Sequence, residues 1–206
     1  MHVHETEFVI FDVETTGLEP LRGDRIIEIA AKKVKNRKVV DVFESFINPK
    51  RDIPLEAQQI NKITPGMIAG APTHDIVLPQ MMQFIGNACL VGHNIGFDLK
   101  FLCYELSLLG RRLNDATPAI DTLKMAKKFV PQLTSHRLQS VALFLGVTVK
   151  QTHRALADVE LTNSILSHLL YMAEAQKVTT LKQVIDEFSV LKPVFKIERV
   201  DQELLF

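Results

Sequence analysis

Hydrophobic residues follow two different rhythms along this chain. Over residues 8–13, 26–34 and 39–47 they form short runs rich in β-branched and aromatic side chains, close enough to pair as a meander of three strands. A stretch rich in proline and isoleucine, 48–72, interrupts the pattern and reads as a loop. Beyond it the spacing changes to threes and fours, which predicts helices near 76–85, 98–109, 122–129, 138–145 and 155–173. Short strands at 88–91 and 119–120 lie between them. Strands first, then alternating strands and helices, predict an α/β domain with a mixed five-stranded sheet flanked by helices.

The first strand carries the most informative residues. Phe8-Val9-Ile10-Phe11 is continuously apolar, as in a strand buried on both faces at the middle of a sheet, and it runs into Asp12-Val13-Glu14-Thr15-Thr16-Gly17. Alternate side chains of a strand share a face, so Asp12 and Glu14 project together. Two like charges there repel unless a cation sits between them, and hard oxygen donors suit Mg²⁺ or Mn²⁺ better than zinc. The plainer alternative is a pair of turn acids that merely end the strand.

Two further acids fall on apolar stripes. Asp98 opens a helix whose stripe runs Phe101, Leu102, Leu106 and Leu109, and Asp158 lies in line with Leu161, Ile165, Leu169 and Met172. A carboxylate on a buried face needs a partner. A helix cap is the other role open to Asp98, although Phe101 offers no capping-box partner. Converging on one pocket, the four acids would hold two metal ions. His153 precedes Asp158 by five residues, a direction about 140° away were both helical, so it is expected in the loop entering the helix. From there an imidazole can take a proton from an attacking water at neutral pH. Asp121, in Ile120-Asp121-Thr122, is expected to cap the next helix rather than bind metal.

Composition narrows the setting. With 206 residues, 47% hydrophobic and 23% charged, the chain can bury one sizeable core. We expect one domain over 1–175 and a C-terminal helix and tail of different character over 176–206. A net charge of +0 from 24 basic and 24 acidic residues argues against coating long nucleic acid, though not against gripping one end. The basic run Lys32-Lys33-Val34-Lys35-Asn36-Arg37-Lys38 reads as a solvated hairpin tip. No stretch approaches the roughly 20 apolar residues of a membrane span, and the start lacks a basic segment leading into an apolar one. No membrane partner and a cytoplasmic location are therefore expected. Cys89 and Cys103 lack ligand-like spacing and are expected as reduced core thiols.

In three motifs the chain resembles the DEDDh 3′-to-5′ exonucleases, which include the proofreading subunit of bacterial DNA polymerase III. The family's Asp-x-Glu-Thr-Thr-Gly matches Asp12 to Gly17, and its His-Asn-x-x-Phe-Asp matches His93-Asn94-Ile95-Gly96-Phe97-Asp98. Its His-x-x-x-x-Asp matches His153-Arg154-Ala155-Leu156-Ala157-Asp158. The resemblance extends roughly over residues 7–173 and implies a ribonuclease H-like fold. It further implies that Asp12, Glu14, Asp98 and Asp158 bind two divalent ions, Mg²⁺ or Mn²⁺, with His153 as general base. Such a pair of ions, about 4 Å apart, would activate water and stabilise the leaving 3′ oxygen. Substrate contacts are implied for Thr15, Thr16, Gly17, Leu18, Glu56, Asn61, His93 and Asn94. Leu18 would pack on the terminal base.

The implied activity is hydrolysis of DNA from the 3′ end to nucleoside 5′-monophosphates in proofreading or repair, with a DNA polymerase as partner. RNA 3′ ends or short oligoribonucleotides form a second reading, and a catalytically silent nucleic-acid-binding module a third. One departure is visible. Where family members often carry Glu-Ala-x-x-Ile-His-Gly-Ile, this chain has Glu56-Ala57-Gln58-Gln59-Ile60-Asn61-Lys62-Ile63, so a residue able to carry positive charge becomes a neutral amide. The final Gln202-Glu203-Leu204-Leu205-Phe206 resembles the Gln-x-x-Leu-Phe peptides that dock into the bacterial sliding clamp. Packing of the tail on its own domain, or an arbitrary chain end, are the alternatives.

Overall fold

The computed structural model describes residues 2–149 and 154–196. Three strands open it: β1 (Phe8–Thr15), β2 (Ile26–Lys35) and β3 (Lys38–Phe46). Two short helices follow, α1 (Leu55–Asn61) and α2 (Pro65–Ile68), and then α3 (His74–Ile85). The remainder is β4 (Cys89–Gly92), α4 (Gly96–Leu108), β5 (Ala119–Asp121), α5 (Thr122–Phe129), α6 (Leu138–Phe144), α7 (Ala155–Ala175) and α8 (Leu181–Phe188). The sheet runs β3-β2-β1-β4-β5, with β1 antiparallel to β2 and parallel to β4. The apolar run of β1 thus sits at the centre, as its composition predicts.

Parity along β1 divides the core in two. Phe8 and Ile10 pack with Val159, Ile165 and Leu169 of α7, whereas Val9, Phe11 and Val13 pack with Leu99, Leu102 and Leu106 of α4. Asp12 and Glu14 continue the even-numbered set, so they leave the strand on the α7 side. The buried carboxylate of Glu105 ties α4 to the start of β2: it accepts from Arg25 Nη2 at 2.7 Å and from the Ile26 N–H at 2.9 Å.

Part of the stretch read as a loop is helical. Both α1 and α2 are too short to show a periodic apolar face; Ala57 and Ile68 instead join Ile27, Ile53 and Ile63 in a small third cluster. Thr64 before Pro65 starts α2 in the usual way, because proline at the first helical position gives up an N–H that has no helical partner. Between β2 and β3 the residues Asn36 and Arg37 have φ of 51° and 61°, as a tight hairpin turn requires. Most of the basic run there is paired with acids elsewhere in the chain: Lys32 with Glu160, Lys33 and Lys35 with Glu7, and Arg37 with Glu174.

After α7 the chain stays on the domain. Val184 and Phe188 of α8 are buried in the α7-side core, and the Val190 N–H donates to the Ala119 carbonyl at 2.9 Å. Lys192 then donates to the carbonyls of Asn114 at 2.6 Å and Asp115 at 3.1 Å, and also to that of Thr117. The tail peptide at 202–206 lies outside the described residues. Cys89 and Cys103 are free and buried, and burial pushes their thiols up to about 12 and about 11, so they remain protonated. Among the described residues no helix is long and apolar enough to cross a membrane.

Candidate active site

Asp12, Glu14 and Asp158 meet at the end of β1. Each offers a carboxylate oxygen, and these atoms lie within 4.8 Å of one another. Strand alternation supplies the first two. The third comes from the first turn of α7, whose apolar face of Leu161, Ile165 and Leu169 seats the helix on the same side of the sheet. Asp98 belongs to the opposite layer. It stands in the first turn of α4, 4% exposed, and its Oδ1 accepts the Val13 N–H at 3.0 Å. Pairing of β1 with β4 ends at Ile10, so Asp98 takes a strand N–H that has run past its neighbour. It therefore lies beside the three-carboxylate cluster and fixes the strand that carries two of its members.

Crowding and burial act on all of these acids. Burial, then Asp98, Glu14 and Asp158, hold the Asp12 carboxyl well above its usual range. Burial and then Asp158, Glu28 and Asp98 push Glu14 up to about 8. Burial raises Asp98 to about 8 even though the Val13 N–H favours its charged form. A divalent cation would answer both causes, since it replaces lost hydration and cancels repulsion. The all-oxygen donor set fits Mg²⁺ or Mn²⁺ chemistry.

Glu28 is a site residue that the sequence patterns left aside. It lies directly across from Glu14 in the β1–β2 register and is 1% exposed. Like charges so placed destabilise a sheet unless one is compensated. Arg154 compensates it, with Nη2 at 2.7 Å and Nε at 3.1 Å from Oε1, while the Ala155 N–H donates to Oε2 at 3.0 Å. The Arg154 guanidinium also stacks 5.2 Å over the Phe46 ring. This clamp pins the start of α7, and with it Asp158, to β2. The available signal was a glutamate inside the apolar run Ile26-Ile27-Glu28-Ile29.

The other expected contacts are arranged around this cluster. Thr16 Oγ1 accepts the Arg25 N–H at 3.0 Å and bonds Asp24, whose carboxylate lies where a Cβ on Gly17 would go. A side chain at 17 would displace that carboxylate from its bonds to Thr16 and to the Glu19 N–H. Thr15 Oγ1 donates to the Gly17 carbonyl at 2.6 Å, and the adjoining Leu18 is 71% exposed. Asn61, 2% exposed, donates through Nδ2 to the Thr15 carbonyl and accepts from the Ile63 N–H, so the neutral amide is built into the wall behind the strand end. Glu56 is exposed on α1.

Asn94, exposed at φ 66°, is fixed by its N–H to Asp121 Oδ1 at 2.9 Å. The same oxygen accepts from the Leu123 N–H at 2.8 Å, which is the helix cap expected of Asp121. His93 bonds Thr122 Oγ1 through Nδ1 at 2.9 Å and the His136 carbonyl through Nε2 at 2.8 Å. A carbonyl only accepts, so Nε2 carries the proton, and burial keeps the imidazole neutral. His153 lies outside the described residues.

The chain has relatives among known proteins. Residues 9–166 match the family model described as Exonuclease. The chain is 41% identical over 162 residues, 79% of its length, to the PolC-type DNA polymerase III of Clostridium perfringens. It is 34% identical over 182 residues, 88% of its length, to the 3′-5′ exonuclease DinG of Bacillus subtilis. It spans only 11% and 19% of those relatives. Among solved structures it matches exonuclease X in complex with 5′ overhanging duplex DNA, with a TM-score of 0.70 at 26% identity, covering 87% of this chain and 98% of that one. Exonuclease I of E. coli in complex with a dT13 oligonucleotide gives a TM-score of 0.73 at 18% identity, covering 84% and 42%, a likeness of fold. These neighbours share the ribonuclease H-like architecture.

Two outcomes follow from the geometry. Arg154→Gln strands the buried Glu28 carboxylate and is expected to cost about 3 kcal/mol, whereas Glu28→Gln, which removes the buried charge, costs less. Urea denaturation of the two variants compares them, and equal losses would contradict the clamp. The second outcome concerns pH. Glu14 rises from 4.5 to about 8 on folding, so the metal-free native chain holds more protons than the unfolded one. The stability associated with this group is intact below about 4.5 and lost as pH climbs through about 8. Because Mg²⁺ or Mn²⁺ takes the place of the proton, the Tm difference between metal and EDTA should widen over that interval. A pH-independent difference would argue against metal binding at the cluster.

Proposed function

Because the chain belongs to the exonuclease family of hydrolytic nucleases, we propose that it is a divalent-metal-dependent 3′-to-5′ exonuclease acting on DNA ends in proofreading or repair. The observation that carries this reading is the convergence of Asp12, Glu14 and Asp158 within 4.8 Å at the end of the central strand, with Asp98 beside them. Relatives named as a PolC-type DNA polymerase III and as the 3′-5′ exonuclease DinG support the polarity and favour DNA over RNA.

Asp12, Glu14 and Asp158 would hold the metal, two ions with Asp98 completing the set. Bound there, divalent metal supplies charge for the attack of water on phosphorus and for the departing 3′ oxygen. The chain's own residues do the remainder. Leu18 covers the terminal base, and Asn94, set by Asp121, orients the nucleotide. Thr15, Thr16 and Gly17 set the backbone against it, with Glu56 on the α1 side and Asn61 bracing the strand end from behind. His153, assigned from its motif, takes a proton from water as the water oxygen bonds phosphorus and the P–O3′ bond breaks, and the departing 3′ oxygen is protonated by solvent. The products are a nucleoside 5′-monophosphate and a strand one nucleotide shorter with a free 3′ hydroxyl. The tail Gln202-Glu203-Leu204-Leu205-Phe206 docks into a sliding clamp and places the enzyme beside a polymerase.

A 3′-labelled single strand tests the reading directly. With Mg²⁺ the chain should release labelled mononucleotide, EDTA should stop it, and Asp12→Asn should reduce it to background. His153→Gln should lower the rate by about 10²–10⁴-fold. Release by Asp12→Asn at the parent's rate would refute the assignment, and parallel DNA and RNA substrates decide the sugar. For the tail, deletion of residues 202–206 should abolish retention on immobilised clamp; undiminished retention refutes that part.

A further inference from the structure

A cleft of about 880 Å³ adjoins the carboxylate cluster through Asp158. Asp158, His93 and Asn94 line one end, α5 forms one wall with Lys127, and residues 134–140 form the other with Arg137. We infer that this cleft grips the phosphates of the single strand leading to the 3′ end, with Lys127 and Arg137 as its cationic contacts. The inference rests on the nuclease reading and adds where the rest of the substrate lies.

Charge placement carries it. The chain is neutral overall, and many of its cations are matched: Lys128 pairs with Glu187, Lys100 with Glu19, Lys32 with Glu160 and Arg25 with Glu105. Lys127 and Arg137 are exposed and have no ion-pair partner among the described residues, yet both line the same cleft. Along α5, Lys128 pairs with Glu187 and Lys124 donates to the Ser189 carbonyl, which leaves Lys127, on the cleft, as the lysine of this helix with neither kind of partner among the described residues. Hydroxyl groups of Thr134, Ser135 and Ser140 add hydrogen-bond donors, and phosphate contacts of this kind position a strand without reading its sequence.

The facing wall is also held in place. The Nε2–H of His93 donates to the His136 carbonyl, and His136 Nε2 donates to the Val130 carbonyl at 3.0 Å. His93 is therefore a positioning residue that fixes the loop presenting Arg137 at a set distance from α5. Continuity with Asp158 identifies the occupant: a strand whose terminal phosphodiester lies at the carboxylates must leave along a path, and this cleft supplies one of complementary charge.

Binding of labelled oligodeoxythymidylate and of oligouridylate of equal length, measured by fluorescence anisotropy in EDTA across a salt series, tests the cleft without hydrolysis. Each lost phosphate contact lowers the slope of log affinity against log salt by about 0.7 for single strands, so Lys127→Gln with Arg137→Gln should lower it by about 1.4. If the curves converge at about 1 M salt, that is a loss of about 25-fold at about 0.1 M. Lys38→Gln with Lys177→Gln makes the same change in net charge outside the cleft and should leave the slope unaltered. An unchanged slope in the cleft variant, or an equal fall in both variants, overturns the inference. Competition by oligoglutamate as strong as by oligonucleotide overturns it also, since the cleft would then favour an acidic peptide. A parent chain that binds through the cleft but releases no mononucleotide with Mg²⁺ retires the nuclease reading alone.

Discussion

Repulsion among carboxylates at the end of β1 shapes everything built around that strand. Asp12 and Glu14 each feel Asp98, Asp158 and Glu28 there, at the centre of the sheet and largely out of water. Left to themselves such groups would force the elements apart or take up protons. The fold treats them unequally. Glu28 receives a guanidinium and a backbone N–H, and Asp98 receives the N–H of Val13. Asp12, Glu14 and Asp158 are turned toward a common point instead. For Asp12 and Glu14, raised proton affinity and suitability for a divalent cation have one cause, burial among like charges.

That inequality maps onto the layers of the domain. The even-numbered side chains of β1 face α7, which brings Asp158; the odd-numbered ones face α4, which brings Asp98. The two layers thus divide the labour of holding the strand end and of offering oxygen to it. On the α7 side the acids give way, through Asp158, to a cleft whose walls carry unmatched cations. Opposite charges are in this way sorted along one path: oxygen donors where a cation belongs, nitrogen donors where a polyanion would run.

Much of this was legible in the sequence because it rests on local periodicity. The alternation Asp12-Val13-Glu14 fixes a shared face in any strand, and the stripe from Asp158 through Leu161 to Leu169 fixes an inward face in any helix. Asp121 lay before a helical pattern, and it caps α5. What escaped is long-range. No local pattern links Glu28 to Arg154 across 126 positions, or Asp98 to the Val13 N–H across 85. Helices α1 and α2 escaped for a related reason: each buries too few side chains to show a period, and their cluster forms only against Ile27 of β2. Asn61 departs from the family's usual histidine, and its two bonds to the strand end and to Ile63 show a bracing role that no spacing reveals.

The attachment of the last described segment has a mechanical side. Lys192 holds three carbonyls of the loop before β5, and Val190 is bonded to Ala119 on β5 itself. These bonds lie on the edge strand, two strands away from β1. A pull applied to the far end of the chain meets this staple before it can reach Asp121, Asn94 or the carboxylates. The bonds at Ala119 and at 114–117 therefore anchor the last described segment to the sheet with the whole of β4 between it and the strand that carries Asp12 and Glu14.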